Sequence, residues 1–308
     1  NAFCAAPVTV AREHLAACDA MPRLLLINTG NANAGTGEAG LAAARHCCEA
    51  AAATAQVAPT EVLPFSTGVI GEDLPVNRIC DALPALHESL SADSWEDAAW
   101  GILTTDTRPK AASRQIHIDG RTITITGIAK GAGMLRPNMA TMLAFVATDA
   151  PIPAPLLQEL LEPAVECSFH RITVDGDTST NDAVLLAATG QSAGSPWTAD
   201  DSDALASFGE ALASLCVELA QGLVRDAEGA TRFVEVSVTG GRSAAECLDV
   251  AFTVAHSPLV KTALFAGDPN WGRILAAIGR AGVEDLDVSG VEVSLNGLPI
   301  AAGGARAA

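Results

Sequence analysis

A layered α/β architecture, with stacked sheets and flanking helices, is what this sequence predicts. Short apolar, strand-like runs alternate with helical stretches along the whole chain, without an internal repeat. Clusters of Gly, Asn, Asp and Pro separate them. With 49% hydrophobic residues over 308 positions, the chain can bury a core as one large domain or two closely joined ones.

The elements follow in order. PRLLLINTGNANAGTGEAGLAAARHCCEAAAA reads as an apolar strand at 24–27, a Gly/Asn loop, and a helix starting near Glu38. That is an α/β unit whose loop can present backbone amides at a strand end. EVLPFSTGVIGEDLP is a second apolar segment followed by a Gly turn, and Pro75 sits near the start of the next helix, where a missing amide hydrogen is tolerated. SADSWEDAAWGILTTD predicts a helix running into a loop. RQIHIDGRTITITGIAK has the alternation and Asp-Gly turn of a hairpin, with Ile116 and Ile118 on one side and Thr122, Thr124 and Thr126 alternating with isoleucines on the other. TMLAFVATDA is a buried strand, PAPLLQELLEPAVECSF an amphipathic helix, and DALASFGEALASLCVELAQGLVRDAEG a long helix broken at Gly229. RFVEVSVTG alternates as a strand does. GRSAAECLDVAFTVAHSPLVKTALFAGDPNWGRILAAIGRAGV is helical on both sides of a Gly/Asp/Pro turn, and VSGVEVSLNGLPI closes as a hairpin on Asn296-Gly297. The main change in composition, QSAGSPWTADDSDA, lies between two helices and reads as an ordered loop.

Charge narrows the function classes. Eighteen basic and 36 acidic residues give a net charge of -18, which disfavours attraction to nucleic-acid phosphates or anionic membranes. No apolar run reaches the roughly 18 to 20 residues that cross a bilayer. The eight cysteines have neither a leader nor metal-ligand spacing around them, so reduced thiols in a cytoplasmic protein are expected. Cys47-Cys48 lies in an Ala-rich helix, with one of the pair facing the core. The first residues, NAFCAAPVTV, carry no initiator Met and no targeting pattern, so a fragment that has lost its true N-terminus is expected.

Some motifs point elsewhere and are weak. Gly35, Gly37 and Gly40 fit GxGxxG, but in a chain with 27 glycines the match carries little, and no Lys-Ser/Thr follows to make a phosphate loop. Asn28, Asn31 and Asn33 are better explained as bonding one another or the turn backbone. Asp175, Asp177 and Asp182 in VDGDTSTND lack the spacing of a calcium loop, and the six histidines are scattered. A structural turn, or a contribution to a site, is expected there; a bound metal is not. Trp271 reads as a core or interface aromatic.

GIAKGAGMLRPNMATMLAFVATDA carries chemistry. Glycines 127, 131 and 133 surround Lys130, and Pro137-Asn138 leads into Ala140-Thr141 at the mouth of an apolar strand. A Thr hydroxyl can attack the carbonyl just before it, giving an ester whose hydrolysis frees Thr141 as a new N-terminus. The freed amine, with an intrinsic pKa near 8, is a base beside the hydroxyl. Acyl transfer then needs fixed donors for a developing oxyanion. Thr67 and Gly68 in PFSTGV offer a hydroxyl and a backbone N–H, although STG is also an ordinary turn. Lys130 is either a surface cation, a carboxylate binder or an electrostatic support.

The ordered series TTDTRPK, ITGIAKGAGMLRPNMATMLAFVATDA, VDGDTSTND, RDAEGATRFVEV and AGDPNWGRILAAIGRAGV resembles the ornithine acetyltransferase, or glutamate N-acetyltransferase, family across nearly the whole chain. The resemblance implies a self-processing N-terminal-threonine acyltransferase of arginine biosynthesis. It would move acetyl from N2-acetyl-L-ornithine to L-glutamate by a ping-pong route, with no bound cofactor; use of acetyl-CoA as a substrate is left open. It implies cleavage between Ala140 and Thr141 into chains 1–140 and 141–308, commonly joined as a dimer of heterodimers. Thr141 is then the nucleophile, Thr67 and Gly68 the oxyanion-hole pair, and Thr104, Lys130, Thr141 and Glu228 the substrate contacts. The resemblance also implies further chain at both termini, the C-terminal one supplying substrate contacts. The alternatives to weigh against it are a self-processed amidohydrolase or aminopeptidase, and a noncatalytic assembly protein.

Overall fold

The computed structural model describes residues 1–118, 120–136, 142–192 and 194–307. They form two compact units, Asn1–Glu228 and Gly229–Ala308. The first contains α1 (Ala6–Ala17), β1 (Leu24–Asn31), α2 (Gly37–Ala55), β2 (Val62–Val69), α3 (Val76–Glu88), α4 (Trp95–Gly101), β3 (Lys110–Ile118), β4 (Arg121–Lys130), β5 (Leu143–Thr148), α5 (Ala154–Glu166), β6 (Ala183–Ala188) and α6 (Ser202–Arg225). β1 and β2 pair in parallel. A second sheet has the order β3-β4-β5-β6, antiparallel except where α5 carries the chain from β5 to a parallel β6.

Period-2 alternation sorts this unit into four layers. On β2, Val62 faces α1, α2 and α3 through Val10, Ala44, Cys48 and Leu83. Its neighbours Leu63 and Phe65 face the opposite way and meet Ile128, Leu143 and Phe145 of the second sheet. Phe65 and Phe145 stand edge to face, ring centroids 5.0 Å apart, a contact that adds about 1 kcal/mol to their burial. The other face of β4 and β5, carrying Ile123, Ile125, Ala129, Ala144 and Val146, packs on α5 and α6. Helices, small sheet, large sheet and helices therefore succeed one another, which is the layered α/β arrangement expected.

α6 shows why its sequence is a helix. Phe208, Leu212, Leu215, Leu219 and Leu223 recur at spacings of four and three and are all buried. Gly127 lets that helix close on β4: a Cβ there would come within 3.0 to 3.1 Å of Leu215 and Leu219. Both Cys47 and Cys48 are buried, where one was expected to be. Burial pushes both thiols up to about 12, which leaves them unreactive packing groups. The QSAGSPWTADDSDA segment packs on the core through Trp197, edge to face with Phe208, and the units part instead at Glu228–Gly229.

The second unit contains α7 (Ala244–Ala255), α8 (Pro258–Ala266), α9 (Trp271–Gly279) and the antiparallel strands β7 (Val293–Leu295), β8 (Leu298–Ala302) and β9 (Ala305–Arg306). Asn296 and Gly297 both have positive φ, as the hairpin turn requires. The helical half before the Gly/Asp/Pro turn is two helices, because Ser257 caps the amide of Val260 and Pro258 starts a new one. The strand expected in RFVEVSVTG does not form: residues 232–240 join no ladder among the described residues. Nor does burial there follow a period of two: Val236 packs against the local core while Val234, which would share its face in a strand, is exposed. Alternation of residue types is not enough, because a strand also needs a partner's backbone. Among the described residues no helix is long and apolar enough to cross a membrane.

Candidate active site

Four chain segments of the first unit meet at one end of the stacked sheets. Lys130 ends β4 and is in register with Leu143 at the start of β5, which is in register with Ala183 at the start of β6. From the small sheet, β2 brings Thr67 and Gly68. Asn181 ties the two sheets together here, its amide donating to the carbonyls of Ser66 (2.9 Å) and Ala32 (2.6 Å). Asn28, Asn31 and Asn33 brace the same end as expected: Asn28 donates to the Asn31 carbonyl, Asn31 accepts from the Asn33 amide, and Asn33 donates to the Gly40 carbonyl.

Lys130 is the centre. It is 2% exposed, which excludes the surface-cation reading. Its Nζ donates to Thr67 Oγ1 at 3.0 Å and Thr104 Oγ1 at 2.7 Å, with Asp106 Oδ2 3.9 Å away. Because Thr67 accepts through its oxygen, its own hydroxyl proton remains to be donated elsewhere, and the ammonium makes it a stronger donor. Burial lowers the Lys130 pKa; Lys110 adds to this, while Asp106, Asp182 and Glu228 oppose it.

Behind Lys130 runs a chain of alternating charges. Lys110 Nζ donates to Asp106 Oδ1 at 2.5 Å and to Asp226 Oδ2 at 2.6 Å. Asp106 Oδ1 also accepts the Gly131 amide at 2.7 Å, and Asp226 takes the Thr107 amide and hydroxyl. Burial raises both carboxyl pKa values, but Lys110 and the surrounding N–H and O–H donors outweigh it, leaving Asp106 below its ordinary value and Asp226 at about 2. Each buried charge thus has an opposite partner, the condition for keeping ions in an apolar interior.

Glu228 lies beside the glycine loop that follows Lys130. Its amide donates to the Ala132 carbonyl at 2.8 Å, and its carboxylate packs on Gly133, where a Cβ would lie 3.2 Å from Oε1. Thr67, Thr104 and Lys130 are therefore in direct contact, with Glu228 close to the same loop. Ala140 and Thr141 lie outside the described residues. Their neighbours are held by VDGDTSTND, whose reading as a backbone-bonding turn is met: Asp175 accepts the amides of Met134 and Leu135, and Asp182 Oδ1 accepts that of Met142 at 3.0 Å. The sequence did not single out Asp106, Lys110, Asp226 or Asn181. The available signal was an Asp and a Lys at i, i+4 in TTDTRPK, in front of a strand that is otherwise half apolar.

Gly68 has φ +138, and a Cβ there would lie 2.2 Å from the Gly30 carbonyl carbon and 2.5 Å from the Asn31 nitrogen. Both neighbours are backbone, so neither can rotate away. Gly68→Ala is expected to destabilise the fold by about 3 kcal/mol or more, read from the urea midpoint. An unchanged midpoint would show that β1 and β2 do not approach this closely.

Comparison with known proteins identifies the family of this chain. The model of the ArgJ family matches residues 1–308. The "Arginine biosynthesis bifunctional protein ArgJ" of Pseudomonas syringae pv. tomato is 58% identical over 307 residues, covering 100% of this chain and 75% of that protein. The protein of the same name from Methylococcus capsulatus is 59% identical over 306 residues, covering 99% and 74%. Among solved structures, the ornithine acetyltransferase of Mycobacterium tuberculosis complexed with ornithine is 36% identical, over 44% of this chain and 72% of that one, with a TM-score of 0.40. A family model matched over every residue, and relatives this close over the full chain, place it: the chain belongs to the ArgJ family and is an enzyme of the arginine-biosynthesis type.

Proposed function

We propose that this chain cleaves itself between Ala140 and Thr141 and then transfers acetyl from N2-acetyl-L-ornithine to L-glutamate through an acetyl ester on Thr141. The observation that carries this reading is the Lys130–Thr67 contact, which turns the Thr67 hydroxyl proton outward as a donor at a strand end shared with Gly68.

The Thr141 hydroxyl attacks the acetyl carbonyl of acetylornithine while the Thr141 amine accepts its proton. The tetrahedral oxygen takes hydrogen bonds from the Thr67 hydroxyl and the Gly68 amide. The C–N bond breaks, the proton passes to the departing α-nitrogen, and ornithine leaves. The α-amine of glutamate then attacks the ester carbonyl, and its proton returns to Thr141 through the same amine. Both substrates present an amino-acid head, so one pocket serves both in turn. They differ in side-chain charge, which suits a site holding Lys130 and Glu228 near one another; Glu228 is assigned to the amino group of ornithine. Because Lys130 already serves Thr67, Thr104 and Asp106, its role is electrostatic support more than direct capture of a carboxylate. Two processed chains, 1–140 and 141–308, stay together and pair into a dimer of heterodimers in the cytoplasm; acetyl-CoA is a second donor to be assayed.

Intact-protein mass spectrometry tests this. The expected result is two species, residues 1–140 and 141–308, with an acetyl adduct on the second after acetylornithine that disappears on adding glutamate. An adduct discharged equally fast by water alone would instead support an amidohydrolase.

A further inference from the structure

Asp182 is a second ionisable group at this end of the sheets, and the transfer reaction above does not use it. It is 7% exposed and stands just before β6. One carboxylate oxygen, Oδ1, is engaged by the Met142 amide at 3.0 Å. The other, Oδ2, is fully buried and has no hydrogen-bond partner among the described residues. Burying a carboxylate oxygen without a partner is costly. An asparagine would keep the bond to Met142 and carry no charge, so anchoring β5 does not account for an aspartate here. The Met142 nitrogen is only two covalent bonds from the Thr141 Cα, so the Asp182 carboxylate holds the peptide that follows the residue whose hydroxyl must lose a proton.

We propose that Asp182 is the base of self-cleavage. Its Oδ2 takes the Thr141 hydroxyl proton as the hydroxyl oxygen bonds to the Ala140 carbonyl carbon. It returns that proton to the Thr141 nitrogen as the C–N bond between the two residues breaks. The product is an ester of Ala140 on Thr141 and a free amine. Water then splits the ester into the Ala140 carboxylate and the Thr141 hydroxyl, and Asp182 ends as it began. Burial pushes its carboxyl up to about 7, against the lowering effect of the Met142 amide, the Ser179 hydroxyl and Lys130. A base acting near neutral pH is most effective with such a value.

The inference rests on Thr141 being the cleaving nucleophile, and its test separates the two. The full chain and its Asp182→Asn and Asp182→Glu variants are made by cell-free synthesis, synthesis is stopped, and cleavage is followed on gels from pH 5 to 9. The wild-type rate is expected to rise through pH about 7 to a plateau. Asp182→Asn, which retains an oxygen for the Met142 amide, should slow cleavage by about 100-fold or more without lowering the melting temperature, and Asp182→Glu should recover part of the rate. Three results overturn the proposal while leaving Thr141 in place: a wild-type rate flat with pH, Asp182→Asn cleaving as wild type does, or a slower Asp182→Asn with the wild-type pH profile. A wild-type chain never cut at Ala140–Thr141 overturns both.

Discussion

Thr141→Ala is expected to give a single uncleaved chain with no acetyl transfer. The hydroxyl is needed twice on the proposed route, first to attack the Ala140 carbonyl and then to carry the acetyl group. Its removal also prevents formation of the amine that serves as base. Because one group supplies these linked steps, the loss should approach the whole of nucleophilic catalysis, on the order of 10⁴- to 10⁶-fold in kcat. Folding should be spared, since the flanking residues keep their own anchors in the Leu135 and Met142 amides bonded to Asp175 and Asp182. Thr141→Ser keeps a hydroxyl and should still be cut. Mass spectrometry and thermal melting of both variants check this, and a Thr141→Ala chain cut at the normal position would remove the mechanism.

Lys130→Met is expected to cost activity and stability together. Methionine fills much of the volume but donates no hydrogen bond, so Thr67 loses the donor that turns its hydroxyl proton towards the reacting oxygen. Losing an oxyanion donor costs about 10²- to 10³-fold in kcat. Breaking a buried ion pair costs about 3 to 5 kcal/mol. The lower end applies here, because Asp106 keeps Lys110 at 2.5 Å and the Gly131 amide at 2.7 Å. The pH dependence identifies the charge. Lysine loses its proton as pH rises, and burial lowers the Lys130 pKa below the ordinary value. Wild-type kcat should therefore fall on the alkaline side earlier than an exposed lysine would allow, and that limb should be missing from the residual activity of Lys130→Met. An identical alkaline limb in the two proteins would assign it to another group.

The sequence alone determined what depends on near neighbours. The Asn296-Gly297 turn, the 3.6-residue stripe of α6 and the alternation in β3 and β4 each express a backbone or packing preference of contiguous residues, and each forms where expected. Motif order along the chain was likewise enough to identify the family that the matched model and relatives show. RFVEVSVTG marks the edge of this legibility, because alternation of residue types says nothing about whether a partner strand is present. Only the tertiary structure decided that Lys130 is buried against Thr67 and Thr104, that Asp106 balances it from a loop and is itself held by Lys110 of a different strand, and that Asp182 faces the start of β5 with one oxygen unused. Lys130 reaches Thr104 and Thr67 across 26 and 63 positions, and Asp182 reaches Met142 across 40. A charge in a sequence reads as surface until folding places its counter-charge, because burial and its compensation are properties of packed layers and not of the chain beside the residue.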